Sequence, residues 1–109
     1  MTSKTNTFSQ QESSSYAVEL ATSLGKRIGK LQIDFFEDHF SGILSLMKAD
    51  NPIHGLRLEN GTCVLNGTIR TMMNIYSFEG EGFIQPERIE LLLHCAGVNL
   101  PLLGIKEKE

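Results

Sequence analysis

Hydrophobic and polar residues alternate on both sides of the dipeptide Asn60-Gly61, and this is the clearest local pattern in the chain. Asn-Gly between two alternating runs is typical of a β-hairpin, because a two-residue type I′ turn needs positive φ at both central positions. Such a turn pairs Glu59 with Thr62, and the pairing continues residue by residue along both strands. We predict that one face of this hairpin is apolar and carries Leu56, Leu58, Cys63 and Leu65.

Three other segments carry apolar residues at intervals of three and four, which indicates amphipathic helices. They run from residue 15 to 31, from 33 to 48 and from 86 to 96. The last begins with Pro86, which suits the first helical position, and it stops before Gly97, a common C-terminal cap. Gly42 weakens the second helix, and a hairpin turning at Ser41-Gly42 is the alternative there.

Two stretches between these elements fit more than one structure. The second Asn-Gly pair, Asn66-Gly67, follows the first so closely that it indicates either very short strands or a bulge. Residues 68–78 fit both helical spacing and alternation, and we favour a strand that pairs with the hairpin.

The predicted fold class is therefore α+β, with helices packed on a short antiparallel sheet. A chain of 109 residues is long enough for one hydrophobic core and too short for two. Residues 1–14 are almost entirely polar, and we expect a disordered tail because they bury too little area to offset the entropy of ordering. The single domain then spans residues 15–109.

Charge and composition restrict the classes of partner. The formal net charge is -3, and the lack of a basic excess makes nucleic acid an unfavoured partner. No apolar run is long enough to span a membrane and no signal peptide precedes the domain, so we expect a cytoplasmic protein without a membrane partner. In that compartment Cys63 and Cys95 are expected to be buried thiols, although a disulfide between them is possible in principle.

No group of residues in the sequence forms a recognisable reaction centre. One acidic run lies beside a histidine and comprises Asp34, Glu37, Asp38 and His39. Such a run could bind a metal, but it more commonly forms a solvent-exposed face. The one basic cluster comprises Lys26, Arg27 and Lys30, and we interpret it as an exposed helix face as well. The three histidines are scattered, and neither cysteine has a ligand-spaced partner. We therefore expect a non-enzymatic protein with no catalytic, cofactor or metal site.

The segment from Leu58 to Leu65, preceded by an amphipathic helix, resembles the opening of the small acidic type III secretion chaperones of the CesT/SycE-like class. Residues 90–100 are similar to the central helix of that family, which ends near an Asn-Leu pair. The resemblance covers about residues 33–104. It implies a bacterial, cytoplasmic protein that forms homodimers and binds a non-globular segment of a secreted effector without ATP.

Two sets of site residues follow from this resemblance. The family dimerises through its central helix, which implies a dimer contact formed by Ile89, Leu92, Leu93 and Ala96. Apolar patches on the first helix and the sheet would bind the partner protein. Methionines suit such adaptable surfaces, and the partner-binding set comprises Phe36, Phe40, Leu44, Met47, Met72 and Met73.

Two other functions compete with protein binding. A small transcriptional regulator could contact DNA through the helix around Lys26 to Lys30 and use the Asn60-Gly61 hairpin as a wing. Salt-sensitive retention on DNA would favour it. An enzyme with a dispersed site is the third possibility, which stoichiometric zinc or iron would support.

Overall fold

The computed structural model describes residues 11–107, and these residues form a closed barrel of antiparallel strands. One short 3₁₀ turn, Glu59–Gly61, interrupts the strands. The eight strands, in chain order, are β1 Gln11–Thr22, β2 Gly25–Phe36, β3 His39–Leu46, β4 Ala49–Arg57, β5 Thr62–Arg70, β6 Ile75–Ile84, β7 Arg88–Cys95 and β8 Val98–Lys106.

Every strand pairs with its neighbours in the sequence, and β8 returns to pair with β1. The closing seam runs from Tyr16 opposite Lys106 to Leu20 opposite Leu102. Because successive strands are antiparallel, alternate turns lie at the same end of the barrel. We call the end with the β1–β2, β3–β4, β5–β6 and β7–β8 turns the mouth end, and the other the closed end.

The barrel interior is filled with side chains from alternate positions of the strands. This period of two is what a sheet with one buried face requires. The clearest examples are β2, where Leu31, Ile33 and Phe35 are buried, and β7, where Ile89, Leu91 and Leu93 are buried. Burial of these side chains is the main favourable contribution to folding. The interior is therefore a packed core, as expected for a barrel of eight strands.

The predicted α+β class is wrong, because the described residues form strands where three helices were expected. Residues 33–48 contain the end of β2, a turn at Glu37–Asp38 and all of β3. The turn reverses the chain there, whereas Gly42 lies within β3. Outward-facing Phe36 and Ile43 add apolar residues at intervals of three and four, and these imitated helical spacing across two short strands.

The other two expected helices are also strands. Residues 15–31 form most of β1 and the first half of β2, and residues 86–96 contain β7. In β7 the run Leu91-Leu92-Leu93 concealed the alternation, because Leu92 faces outwards between two buried leucines. Gly97 caps no helix and instead completes a tight turn with Ala96, in which both residues have positive φ (51° and 79°).

The predicted hairpin between β4 and β5 exists, but its register differs by one residue. Arg57 lies opposite Cys63 and Leu56 opposite Val64, so Leu58 and the 3₁₀ turn form a longer loop. A shift of one residue moves every side chain of a strand to the other face. Cys63 and Leu65 are consequently buried, whereas Leu56 and Leu58 are exposed on the outside.

The remaining expectations have mixed outcomes. Asn66 and Gly67 form neither a turn nor a bulge but lie within β5, where a Cβ on Gly67 would lie 3.0 Å from the Phe78 ring. Residues 68–78 are strand at both ends, with a loop between. Residues 1–10 of the expected tail lie outside the described part, and Gln11 to Ser14 begin β1. Between residues 11 and 107 no helix is long and apolar enough to cross a membrane.

Candidate functional site: the mouth of the barrel

The closed end of the barrel is sealed by three large side chains. The Tyr16 hydroxyl donates a hydrogen bond to the Gln85 carbonyl oxygen (3.0 Å), and burial raises the pKa of this phenol. The Arg57 guanidinium lies over the Phe35 ring, 4.5 Å from its centroid, and donates to the Glu37 carbonyl oxygen (3.1 Å). Such a cation–π contact stabilises the side chains that cover the core.

The mouth end is open and contains a cavity of about 330 Å³. Its floor is apolar and is formed by Leu20, Ile69, Cys95 and Leu100. Leu24, Met47, Tyr76 and Val98 continue the apolar surface along the wall. A concave apolar site with a few polar groups is the usual form of a binding pocket, and barrel mouths are among its common locations.

The β5–β6 loop projects two methionines beyond the cavity. The Thr71 hydroxyl accepts hydrogen bonds from the backbone N–H groups of Met73 and Asn74 (3.3 and 3.1 Å), and the Thr71 N–H donates to the Asn74 carbonyl (2.8 Å). These bonds hold the loop in a tight turn that leaves Met72 and Met73 no neighbours to pack against. Their side chains are 101% and 86% exposed.

A buried amide holds the β3–β4 turn that carries Met47. Asn51 is 1% exposed, and its Nδ2 donates to the carbonyl oxygens of Leu44 (2.9 Å) and Ala49 (3.3 Å). Its Oδ1 accepts from the backbone N–H of Arg70 (2.8 Å). The side chain thus joins β3, β4 and β5 just below the mouth. The backbone pairing of β4 with β5 begins only at Ile53 and Gly67, so Asn51 connects these strands before their ladder starts.

Arg27 is the one charged side chain that lines the cavity among the described residues. It lies on the inward-facing side of β2, opposite Leu20 of β1, and is half-buried. No carboxylate of residues 11–107 lies within ion-pair distance of its guanidinium. Its neighbour Lys26 faces outwards and pairs with Glu19 at 3.5 Å.

Both cysteines are free and buried. Burial raises the pKa of the Cys63 thiol to about 11 and also raises the pKa of Cys95. Since the thiolate is the reactive form, both thiols are poor nucleophiles at neutral pH. Cys95 belongs to the cavity floor, whereas Cys63 lies in the core of β5.

A second, larger depression of about 540 Å³ lies on the outer surface over β4 to β7. Its lining includes the polar side chains of His54, Glu79 and His94 together with Pro52 and Phe78. Both ring nitrogens of His94 face oxygen acceptors, Nδ1 towards Asn99 Oδ1 (2.7 Å) and Nε2 towards Glu81 Oε2 (2.8 Å). The hydrogen bonds with Asn99 and Glu81 raise the pKa of His94.

His94 therefore has a structural role that the sequence did not indicate. Glu90, which lies one helical turn away in the expected helix, instead forms an ion pair with Arg88. The Glu81–His94–Asn99 contacts join β6, β7 and β8 across the outer surface. In the described part of the chain, no three His, Cys, Asp or Glu residues are grouped so as to hold a metal ion.

The six residues expected to bind a partner lie in three different places. Phe40 and Leu44 are buried in the core, where they cannot contact a partner. Met47, Met72 and Met73 lie together in turns at the mouth end, and Phe36 is half-exposed at the closed end. The structure thus places the three methionines of the set in two turns at the same end of the barrel.

The four residues of the expected dimer contact do not share a surface. Ile89 and Leu93 are buried inside the barrel, Leu92 faces outwards, and Ala96 lies in the β7–β8 turn. The two parts of the alternative DNA-binding site are also separated. Lys26 and Arg27 lie near the mouth, whereas the Asn60-Gly61 loop lies at the closed end.

The acidic run was expected to form an exposed face, and it lies at the closed end. Glu37 and Asp38 form the β2–β3 turn, with Asp38 Oδ1 2.9 Å from His39 Nδ1, and Asp34 accepts a hydrogen bond from Ser13 (2.6 Å). All four residues of the run are exposed.

Sequence reasoning did not place Leu24, Arg27, Tyr76 or Val98 at one site. Leu24 lies in the β1–β2 turn, whereas Arg27, Tyr76 and Val98 lie near the starts of β2, β6 and β8, and only the order of strands around the barrel brings them together. The one local signal is Gly25, whose φ of +112° marks the β1–β2 turn that exposes Leu24.

Comparisons with known proteins add no relative. No family model, no curated protein sequence and no solved structure matches this chain.

Proposed function

We propose that this chain is a non-enzymatic protein-binding module and that the mouth of the barrel is its binding site. The observation that carries the proposal is the apolar rim around the cavity, where Leu24 (79%), Met72 (101%) and Met73 (86%) are exposed. These side chains are exposed in two turns at the same end of the barrel, and exposed apolar patches mark interaction sites on soluble proteins. Methionine side chains are unbranched and polarisable, so they adapt to partners of different shape.

The partner under this proposal is another protein, which places an apolar side chain in the cavity and covers the methionines. A cytoplasmic secretion chaperone that binds an effector segment is the most specific form of the proposal. That form rests on the sequence resemblance alone. Catalysis has no part in the proposal, because the cavity offers one cation and one buried thiol, Cys95, which is a poor nucleophile.

Site-specific photo-crosslinking in the cells that produce the protein tests this location. A benzophenone amino acid replaces Met73 at the rim or Ile105, which is 70% exposed on the outer surface of β8. We expect a defined protein adduct from position 73 and none from position 105. Absence of an adduct at 73, or the same adducts from both positions, would refute the mouth as the binding site.

A paired substitution provides the complementary test. Met72→Asp with Met73→Asp should leave folding unchanged, since neither side chain packs on the core, and should abolish the adduct of a crosslinker placed at Leu24. An adduct that survives both changes would show that the methionines do not contact the partner.

Self-association is also part of the proposal. Leu92 is the outward-facing member of the expected dimer contact, whereas Leu93 beside it is fully buried. A dimer that uses the outer face of β7 should become a folded monomer in Leu92→Glu, as measured by light scattering after size exclusion. A wild-type protein that stays monomeric at high micromolar concentration would eliminate self-association.

A further inference from the structure

We infer that the partner segment held in the mouth carries a carboxylate next to its apolar side chain, and that Arg27 binds this carboxylate. The inference rests on the proposed function and specifies the chemistry of the partner. The observation behind it is the position of Arg27, a half-buried residue, in the wall of a largely apolar cavity whose other polar lining residues include Thr22, Ser23 and Thr71.

The cavity determines the apolar half of the ligand. Its volume of about 330 Å³ equals that of about eleven water molecules in the liquid, at ~30 Å³ each. This is room for one large side chain and part of its flanking backbone. Leu20, Ile69 and Leu100 form a floor that offers no hydrogen bond to such a side chain.

Arg27 determines the charged half. A guanidinium presents donors in a planar fork that matches a carboxylate, and such charge-assisted pairs are stronger than neutral hydrogen bonds. Within residues 11–107 no carboxylate lies close enough to form this pair. Lys26, the adjacent cation, already has Glu19. An anionic group of the ligand would therefore supply the partner that the described residues do not.

The distribution of charge around the barrel also favours an acidic partner. Lys48 and Arg70 flank the mouth, and in the described ranges neither forms an ion pair. Asp50, an acidic residue near this end, already accepts a hydrogen bond from Ser45 (2.8 Å). The turns of the closed end carry Glu37, Asp38, Glu59 and Glu87. This asymmetry would orient an acidic segment towards the mouth.

A protein segment fits this site better than a membrane surface. Basic residues beside exposed apolar loops also suit anionic lipid. A flat bilayer surface would cover the rim formed by Leu24 and Met72 but would leave the concave floor and Arg27 without contacts. A protruding side chain beside a carboxylate reaches both.

Selection from a random ten-residue peptide library, displayed on phage against the immobilised full chain, tests the inference without knowledge of the natural partner. We expect enriched peptides to place Asp or Glu within two positions of Leu, Ile, Phe or Met. Enrichment of apolar peptides without acidic residues would overturn the role of the carboxylate and keep the proposed function. If no peptide is enriched on the full chain, both the inference and the proposed function are overturned.

Two matched variants assign the charge to one side chain. Arg27→Gln and Lys26→Gln each remove one positive charge, but only Arg27 lines the cavity. In fluorescence anisotropy with a selected acidic peptide, we expect Arg27→Gln to weaken binding about tenfold and Lys26→Gln to change it by less than about twofold. Equal effects of the two variants would show that the peptide responds only to overall positive charge, and this would overturn the inference.

Two controls complete the design. A peptide with Gln in place of its acidic residue should bind wild type and Arg27→Gln with equal affinity, and a difference between them would contradict a direct pair. Sedimentation with phosphatidylglycerol vesicles examines the lipid alternative. We expect no binding that depends on Arg27, and vesicle binding lost in Arg27→Gln would overturn the choice of a protein segment.

Discussion

Replacement of Asn51 by alanine is expected to destabilise the barrel more than any substitution of an exposed polar residue. Asn51 is buried, donates to the Leu44 and Ala49 carbonyl oxygens, and accepts from the Arg70 N–H. Alanine removes all three hydrogen bonds and leaves the Leu44 carbonyl and the Arg70 N–H without these partners. A buried polar group without a partner costs about 1–3 kcal/mol.

The expected loss in the free energy of unfolding is about 3 kcal/mol, a large part of the roughly 5–15 kcal/mol that stabilises a domain. Urea unfolding followed by circular dichroism measures it. With a slope of about 1.5 kcal/mol per molar, the midpoint should fall by about 2 M. Asn66→Ala, on the outer face of β5, is the control and should change stability by less than about 0.5 kcal/mol.

Asn51→Asp separates the accepting from the donating role. The aspartate keeps an acceptor for Arg70 but loses the donor to Leu44 and introduces a buried charge. Burial raises the pKa of a carboxyl above its unfolded value, so this variant should recover stability as pH falls through the folded-state pKa. If Asn51→Ala lies within 0.5 kcal/mol of the wild type, the network does not stabilise the mouth end and the reasoning is refuted.

Three further predictions concern the turns, the outer surface and the thiols. Lys48→Gly should raise the melting temperature by about 4 °C in calorimetry, because Lys48 has a φ of 63° in a tight turn that favours glycine; no change would show that the turn is unstrained. The folded-state pKa of His94 is raised above its unfolded value, so the stability that it adds is complete below the unfolded pKa and is lost as pH rises through the folded pKa. The stability difference between wild type and His94→Gln should therefore be larger at pH 5 than at pH 9, and a difference independent of pH would contradict the Glu81 contact. A thiol reagent at pH 7.5 should modify Cys95 before Cys63, since Cys95 borders the cavity, and equal rates would indicate global unfolding as the route of access.

The sequence correctly predicted a hairpin around Asn60-Gly61, although with a different register. Several other strands were mistaken for helices for physical reasons. Apolar residues occupy both faces of several strands, as Leu92 and Leu93 do in β7, so the period of two was concealed. The Glu37–Asp38 turn has positive φ at Glu37 (59°) without the glycine or asparagine that usually indicates it. Strands joined by such turns read as continuous helices.

The hairpin register and the site depended on information that no local pattern contains. Inward positions of β4 are occupied by Gly55 and Arg57, because a Cβ on Gly55 would lie 2.3 Å from the Phe40 ring and Arg57 covers Phe35. Leu56 consequently faces outwards, against the hydrophobic expectation. Met47, Met72 and Met73 were selected from the sequence as partner-binding residues, but their location at one end of the barrel follows only from the order of the strands.

The seam between β1 and β8 determines when this protein can complete its fold. These two strands lie at opposite ends of the described chain, and only the segment from Tyr16 to Leu20 pairs with β8. During synthesis β1 and β2 can pair early, but β1 keeps a free edge until the final strand leaves the ribosome. Loop closure over such a separation is slow, so the last step of folding should be the docking of β8. Aggregation during expression is expected to depend on how quickly that strand arrives.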